Sequence, residues 1–232
     1  TRLDAVKEAF RNFVKQRPHD LTGLITFGGY ATTLCPLTLD HQALVHILEG
    51  VEIPDPEVDT RGQPVNPEEL MTAVGDALAT ACARLEEVEA KSKIAVLLSD
   101  GESNTGAVEP AEAARAAKKL GIKVYTIGVG TTGYADFIVD TPLGSRKVRR
   151  EVVLDEKLLR SIAAETGGRY FNVRDKEALA KALEEIDKLE KTRIEQAVYY
   201  QYDELFGWFL LPGIIFIAAG TCLNMFCAQR IV

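Results

Sequence analysis

The segment after the apolar run Ile94–Ser99 carries several oxygen-bearing side chains in close succession. It reads SDGESNTG, in which Asp100 comes directly after the run and Ser103 and Asn104 follow shortly. A carboxylate among hydroxyl and amide oxygens suits a hard divalent cation such as Mg²⁺, which prefers oxygen ligands. The same residue types also suit a simple turn capped by Asp100, because Asp, Ser and Asn favour turns. The residue types alone leave both interpretations open.

A second loop has the glycine pattern of nucleotide-binding sites. Gly128, Gly130 and Gly133 form a G-x-G-x-x-G sequence at the end of an apolar run. In dinucleotide-binding proteins this pattern opens a helix, but here it is followed by YADFIVDTPLG, which has no helical character. The pattern favours a chance match in a turn. A Rossmann-type nucleotide-binding enzyme that uses these three glycines is kept as the alternative hypothesis.

The order of the predicted elements indicates where such loops lie. From Ile94 onward, strands and helices alternate, which predicts parallel strands with right-handed crossovers in an open α/β sheet. Ligands on such sheets bind at the carboxyl ends of the strands. A site is therefore expected in the loops after Ser99 and Val129 and in the loop before Thr72.

The rest of the chain is divided by its hydrophobic periodicity and its capping residues. The predicted helices are 2–16, 41–48 behind Asp40, 73–89, the segment from Pro110 to Gly121, the segment from Asp155 to Gly167, and the segment from Asp175 to about Lys191, with Leu179, Leu183, Ile186 and Leu189 facing inward. The predicted strands are Leu21–Gly29, Tyr30–Thr38, Ile94–Ser99, Ile122–Val129 and Arg169–Val173, with a hairpin at 136–154 and a long loop at 50–66.

The C-terminal segment differs in composition from everything before it. No charged residue occurs between Leu205 and Gln229. As a helix of about 1.5 Å per residue, Phe206–Cys227 is long enough to cross the roughly 30 Å core of a bilayer. A buried core helix is the alternative, but such helices seldom run this far without a charge. We therefore predict a domain at 1–191, a juxtamembrane linker at 192–205 and a transmembrane helix at 206–227.

The charge and the cysteine content of the chain limit which functions it can have. The chain of 232 residues has a net charge of −7, which argues against a nucleic-acid-binding protein with a basic face. The predicted hairpin is locally basic at Arg146–Arg150, which suits either contact with lipid head groups or an ordinary solvated surface. Cys35 and Cys82 are expected to be two buried free thiols, with a disulfide as the alternative in an oxidising compartment.

Six stretches spread over residues 1–190 form a recognisable set: TRLDAVKEAFRNFV, GLITFGGYATTLCPLTLD, MTAVGDALATA, IAVLLSDGESNTG, GIKVYTIGVGT and ETGGRYFNV. Together they resemble a von Willebrand factor A (VWA) domain, specifically the membrane-anchored bacterial kind in the BatA-like aerotolerance family. The charge-free C-terminal segment fits the same resemblance.

The resemblance implies a metal ion-dependent adhesion site (MIDAS) built from three loops. Thr72 and Asp100 match two of the family's ligand positions and would bind Mg²⁺ or Mn²⁺. Ser99, Ser103 and Asn104 would support these ligands from the same loop as Asp100. In the family, a carboxylate from a protein partner commonly fills the open position on the metal.

Two departures from the family pattern affect this expectation. Met71 stands where family members often have Gly, so the loop is expected to approach the metal less closely. The family's Asp-x-Ser-x-Ser loop has no counterpart in the sequence, which begins where the helix after that loop is expected. We interpret this as an N-terminal truncation. The expected fold is therefore a doubly wound, mostly parallel α/β sheet that lacks its first central strand, followed by one C-terminal transmembrane helix.

The function implied by the resemblance is a non-enzymatic, metal-dependent interaction domain tethered to a bacterial inner membrane. Its expected partners are a MoxR-type AAA+ ATPase, sibling VWA membrane proteins and membrane lipid. Asp203 and Glu204 before the predicted span and Arg230 after it favour a periplasmic domain. A structural VWA domain without a working metal site is kept as a third hypothesis.

Overall fold

The computed structural model describes residues 2–53, 66, 71–99, 102–130, 133–141, 144–152, 154–198 and 206–228. It separates into two compact units, residues 1–194 and 195–232. Most of the long loop predicted at 50–66 lies outside the described residues. Every element that flanks the predicted site belongs to the first unit.

The N-terminal part of the first unit is a helix, an antiparallel hairpin and a second helix. These elements are α1 (Arg2–Lys15), β1 (Thr22–Phe27), β2 (Ala31–Thr38) and α2 (His41–Glu49). As predicted, Asp40 caps α2, because its carboxylate accepts hydrogen bonds from the N–H groups of Gln42 at 3.1 Å and Ala43 at 3.0 Å. The predicted hairpin turn at Gly28 and Gly29 is also confirmed.

The remaining part of the first unit alternates helices and strands. Its elements are α3 (Val74–Glu86), β3 (Lys93–Ser99), α4 (Pro110–Lys119), β4 (Ile122–Val129), β5 (Gly133–Thr141), β6 (Gly144–Val152), α5 (Glu156–Thr166), β7 (Tyr170–Val173) and α6 (Lys176–Val198), of which the part up to Ile194 belongs to this unit. Strands β3, β4 and β7 pair in parallel in that order, and β5 and β6 form the predicted antiparallel hairpin. The predicted parallel α/β arrangement is therefore confirmed.

Helices cover both faces of the parallel sheet. On one face, Leu78 of α3, Ala114 of α4 and Leu159 of α5 belong to a single buried cluster. On the other face, Ala9 of α1 and Ile186 of α6 lie in a second cluster with residues of β4 and β7. Because β4 is covered from both sides, most of its residues are buried.

The described strands do not form one continuous sheet. Within these residues β1 pairs with β2 and β3 pairs with β4, while β1 and β3 belong to separate sheets. The expectation that a central strand lies between them in the family stays a prediction. Strand β3 is less buried than β4, with only Leu97 and Ser99 of β3 fully buried. Among the described strands β3 pairs only with β4, and a strand paired on one side has fewer groups around it.

Helix α6 corrects two details of the sequence prediction. It runs to Val198 and not to about Lys191, because the sequence after Lys191 contains neither Pro nor Gly to end it. Leu189 is 41% exposed, so the prediction that it faces inward is wrong. Glu190 takes the inward position one residue later and is only 3% exposed.

The second unit contains helix α7 (Phe206–Ala228), which overlaps the predicted transmembrane segment. Among the described residues, no helix has the length and apolar character needed to cross a membrane.

Candidate functional site

Two of the predicted site loops are joined by a pair of hydrogen bonds. The Thr72 N–H donates to Asn104 Oδ1 at 2.8 Å, and the Asn104 N–H donates to the Thr72 carbonyl oxygen at 3.2 Å. Thr72 lies two residues before Val74, the first residue of α3, and Asn104 lies on the loop that follows β3. The structure therefore brings together two predicted site residues that are 32 positions apart in the chain.

The turn of the β1–β2 hairpin joins the same edge. The Ala73 N–H donates to the Gly28 carbonyl oxygen at 2.7 Å, so the residue after Thr72 is fixed to the hairpin turn. Tyr30, at the end of that turn, is 72% exposed. Sequence reasoning missed the Gly28 contact, because nothing in a glycine pair indicates which distant N–H its carbonyl accepts.

The remaining predicted site residues lie on the loop after β3. Ser99 ends β3 opposite Gly128 of β4 and is 6% exposed, and Ser103 is half-buried. Asp100, the predicted carboxylate ligand, lies outside the described residues. The structure thus places Thr72 on one loop, Ser103 and Asn104 on an adjoining loop, and Ser99 at the end of the strand before that second loop. Asp100 directly follows Ser99 in the chain.

Asp76 is a carboxylate of this region that the sequence analysis did not single out. Its Oδ1 accepts a hydrogen bond from the Val108 N–H at 2.8 Å, and its Oδ2 accepts one from the Ala107 N–H at 3.1 Å. The sequence signal is limited to an acidic residue in the first turn of a helix, a position that the helix dipole favours. The helix dipole does not predict a contact with a loop 31 or 32 positions away.

The candidate metal ligands in the described residues suit a hard cation only if a carboxylate joins them. Across the described residues, no group of three or more His, Cys, Asp or Glu side chains is placed to bind a metal ion. Thr72 and Ser103 contribute hydroxyl oxygens, which suit Mg²⁺ or Mn²⁺ but neutralise none of the charge. Asp100 is the carboxylate that the sequence places beside them.

The three glycines of the proposed nucleotide-binding pattern lie in strands of the sheet or in the turn between them. Gly133 begins strand β5, whereas the dinucleotide fingerprint requires its last glycine near the start of a helix. A Cβ at Gly128 would lie 2.8 Å from Tyr170 Oη and 2.9 Å from Leu154 Cδ2, so glycine leaves room for these two side chains. Gly130 has a φ of 114°, a conformation that favours glycine. The Rossmann-type hypothesis is left without support.

The two cysteines of the first unit are buried free thiols, as predicted. Burial, with a smaller contribution from Glu86, raises the pKa of Cys82 to about 11. Burial and then Asp40 raise the pKa of Cys35 as well. Both thiols are therefore protonated at neutral pH and act as small apolar core residues.

Comparison with known proteins identifies the fold family. The sequence model of the von Willebrand factor type A domain family matches residues 1–188 of this chain. An uncharacterized protein of Borreliella burgdorferi is 26% identical over 213 residues, covering 90% of this chain and 58% of the relative. A UPF0353 protein of Nocardia farcinica is 27% identical over 250 residues, covering 100% of this chain and 68% of the relative. The chain therefore spans little more than half of the first of these relatives.

Solved structures give the same result. The conserved hypothetical protein BatB from Bacteroides thetaiotaomicron is 27% identical with a TM-score of 0.64, over 82% of this chain and 89% of that one. An aerotolerance-related membrane protein from Bacteroides fragilis is 26% identical with a TM-score of 0.63, over 81% of this chain and 89% of that one. The mussel byssus protein PTMP1, solved with a zinc-occupied MIDAS motif, shares the fold at 20% identity with a TM-score of 0.56, over 81% of this chain and 40% of that one.

The parallel sheet, the loops at its carboxyl edge and these matches agree with one another. The chain belongs to the von Willebrand factor type A domain family, and its structural neighbours include BatB and aerotolerance-related membrane proteins.

Proposed function

We propose that this chain is a non-enzymatic protein-interaction domain that binds a partner through a divalent metal at the edge formed by Thr72 and the loop after β3. The observation that carries the proposal is the double hydrogen bond between Thr72 and Asn104. This pair of hydrogen bonds holds two loops next to each other at one end of the sheet, and both loops carry side-chain oxygens that can bind a metal ion. Asp100 follows Ser99 in the chain and is the residue proposed to supply the charge.

The metal is proposed to be Mg²⁺ or Mn²⁺. Hydroxyl and carboxylate oxygens are hard ligands and suit these ions. The zinc-occupied MIDAS motif of PTMP1 supports a metal site on this fold, although that protein is similar in fold alone. An Asp-x-Ser-x-Ser loop is the element of the family site that this sequence lacks, so full affinity is expected only when such a loop is supplied.

The partner is proposed to offer a carboxylate to the metal. A MoxR-type AAA+ ATPase and sibling VWA membrane proteins are the partners that the family resemblance favours. The similarity to an aerotolerance-related membrane protein supports a role at a membrane. We further propose that 206–227 anchors the chain in the inner membrane with the first unit in the periplasm, which rests on the absence of charge between Leu205 and Gln229.

Substitutions at the two ligand positions test the metal proposal. Mn²⁺ binding is measured by electron paramagnetic resonance, in which the signal of free Mn²⁺ falls as the ion binds. The chain is compared with a version extended at its N-terminus by the strand and Asp-x-Ser-x-Ser loop of a BatB-type relative. We expect the extended version to bind Mn²⁺ more tightly, Asp100→Asn to abolish binding, and Thr72→Val to weaken it by about tenfold or more.

Glu102→Gln is the matched control, because it removes an equal charge from an exposed side chain of the same loop. Its Mn²⁺ affinity should equal that of the unaltered protein. Equal affinities for Asp100→Asn and the unaltered extended chain would reject the assignment. Absence of Mn²⁺ binding in the extended chain would favour the structural domain without a working metal site.

A further inference from the structure

Asp76 connects helix α3 to the loop that carries the predicted metal-binding residues. Both of its carboxylate oxygens accept N–H donors of that loop, Oδ1 from Val108 at 2.8 Å and Oδ2 from Ala107 at 3.1 Å. Hydrogen bonds to an ionised carboxylate are stronger than those between neutral groups. The carboxylate therefore holds the end of the loop immediately before α4.

Two glycines allow this close approach. Gly106 has a φ of 122°, and a Cβ there would lie 3.2 Å from Cγ and both oxygens of the Asp76 carboxylate. A Cβ at Gly75 would lie 1.9 Å from the Val108 carbonyl oxygen, which the backbone cannot accommodate without moving. The contact between α3 and the loop therefore depends on Asp76, which accepts the hydrogen bonds, and on Gly75 and Gly106, which leave room for the close approach.

The same loop is held a second time at Thr72. Asn104, two residues before Gly106, exchanges two hydrogen bonds with Thr72, four residues before Asp76. The loop is therefore attached at both ends of the short segment 72–76. Two attachment points fix both the distance and the direction of the loop relative to Thr72, whereas one would leave it free to pivot.

We propose that Asp76 is a positioning residue, which holds the loop 102–108 so that Thr72 and Ser103 keep the spacing that a metal ion needs. The inference rests on the proposed function for its consequence, the metal affinity. Its mechanism, the ordering of the loop, is independent of any metal. Asp76 itself is not proposed as a ligand, because both of its oxygens are engaged by the loop.

Asp76→Asn and Gly106→Ala test the proposal from opposite sides of the contact. Asp76→Asn replaces an accepting oxygen with an N–H₂ group that faces an N–H donor. Gly106→Ala keeps the carboxylate but introduces a Cβ against it. Glu112→Gln is the matched control, since it removes a charge from an exposed carboxylate in the first turn of the neighbouring helix.

Amide hydrogen exchange is measured first, without metal, in the full chain. Both variants should exchange at least about tenfold faster at Ala107, Val108 and Asn104, while Val124 in the core of β4 keeps its protection and the control is unchanged. The Asn104 amide is decisive, because Asp76 does not touch it and it responds only when the whole loop is released. Unchanged exchange at Asn104 in both variants would overturn the proposal.

Mn²⁺ affinity is measured second, in the chain extended with the Asp-x-Ser-x-Ser loop. We expect both variants to bind Mn²⁺ about tenfold or more weakly, at temperatures where their folded fraction equals that of the control. Faster exchange with unchanged Mn²⁺ affinity would overturn the positioning role. If the unaltered extended chain binds no Mn²⁺, the proposed function has failed, and the exchange at Asn104 still decides whether Asp76 orders the loop.

Discussion

Asn104 is predicted from its type and position to support a metal ligand, and the structure gives that support a specific form. Its side-chain oxygen accepts the Thr72 N–H, and its own N–H donates to the Thr72 carbonyl oxygen. The sequence indicates a polar residue near Asp100. It cannot indicate which distant backbone group that residue binds, because such a partner is set by the packing of α3 beside β3.

Glu190 is a buried carboxylate at the opposite end of the sheet from the candidate site. Its Oε1 accepts hydrogen bonds from Lys123 Nζ and Tyr125 Oη, both at 2.5 Å, and its Oε2 accepts one from Ser92 Oγ at 2.9 Å. Burial alone would raise the pKa of Glu190, but the bonds from Lys123, Tyr125 and Ser92 outweigh it and hold the pKa below its ordinary value. The ionised form is therefore the stabilising one.

Glu190→Gln should lower the free energy of unfolding by about 2 kcal/mol at pH 7, since it removes a charge that accepts three hydrogen bonds. A carboxylate with a lowered pKa stabilises the fold above its unfolded pKa near 4.5, and this contribution is lost as the pH falls through the lower, folded value. The difference between the variant and the unaltered chain should therefore shrink below pH 4.5. Urea unfolding at pH 7 and at pH 3.5 measures it.

Glu184→Gln is the control for this prediction, because Glu184 lies exposed on the same helix. Its unfolding free energy should stay within about 0.5 kcal/mol of the unaltered value at both pH values. A Glu190→Gln variant as stable as the control at pH 7, or a difference that grows in acid, would contradict the account of Glu190.

At the scale of the elements, local signals predict most boundaries correctly. Asp155 caps α5 by accepting the Leu158 N–H at 2.8 Å, and Gly167 ends it in the left-handed conformation with a φ of 74°. Such caps involve neighbours in the sequence, so they can be identified without the fold. Leu189 shows where such local signals fail. Helical periodicity places Leu189 in the core, but it cannot indicate that buried hydrogen-bond donors bind Glu190, which then takes the buried position.

Helix α7 is the element for which the sequence predicts a membrane span that the structure does not confirm. Its side chains Leu211, Ile215 and Phe216 are 61–77% exposed, which is unfavourable in water for a helix of this composition. If 206–227 spans a membrane, the protein should stay in the pellet when membranes are extracted with carbonate at about pH 11.

A matched variant sharpens this prediction. Ile214→Lys together with Phe216→Lys places two charges at the centre of the predicted span, at a cost of about 3 kcal/mol each. The variant should appear largely in the supernatant. Extraction of the unaltered chain to the same extent as the variant would show that the segment does not anchor it.

At the scale of the whole molecule, the sequence predicts the parallel sheet and the absence of one central strand. The alternating order of strands and helices predicts the parallel sheet that the structure forms from β3, β4 and β7. The resemblance implies a further strand between β1 and β3, and the structure places β1 and β3 in separate sheets. Helix α1 contacts core residues on both sides of this division, with Ala9 in one cluster and Val14 in another. The ties of Asp76 and Gly28 to distant loops could not be predicted, because they depend on the fold as a whole.

The central claim is that the loops at Thr72 and after Ser99 together bind a divalent metal. Mn²⁺ broadens the amide NMR signals of residues close to it, so the extended chain titrated with a small amount of Mn²⁺ reports where the ion binds. We expect the amides of Thr72, Ser99 and Asn104 to broaden first, while that of Ser92, next to the other end of β3, stays sharp. Broadening centred on another region, or spread evenly over the surface, would show that the ion does not bind at these two loops.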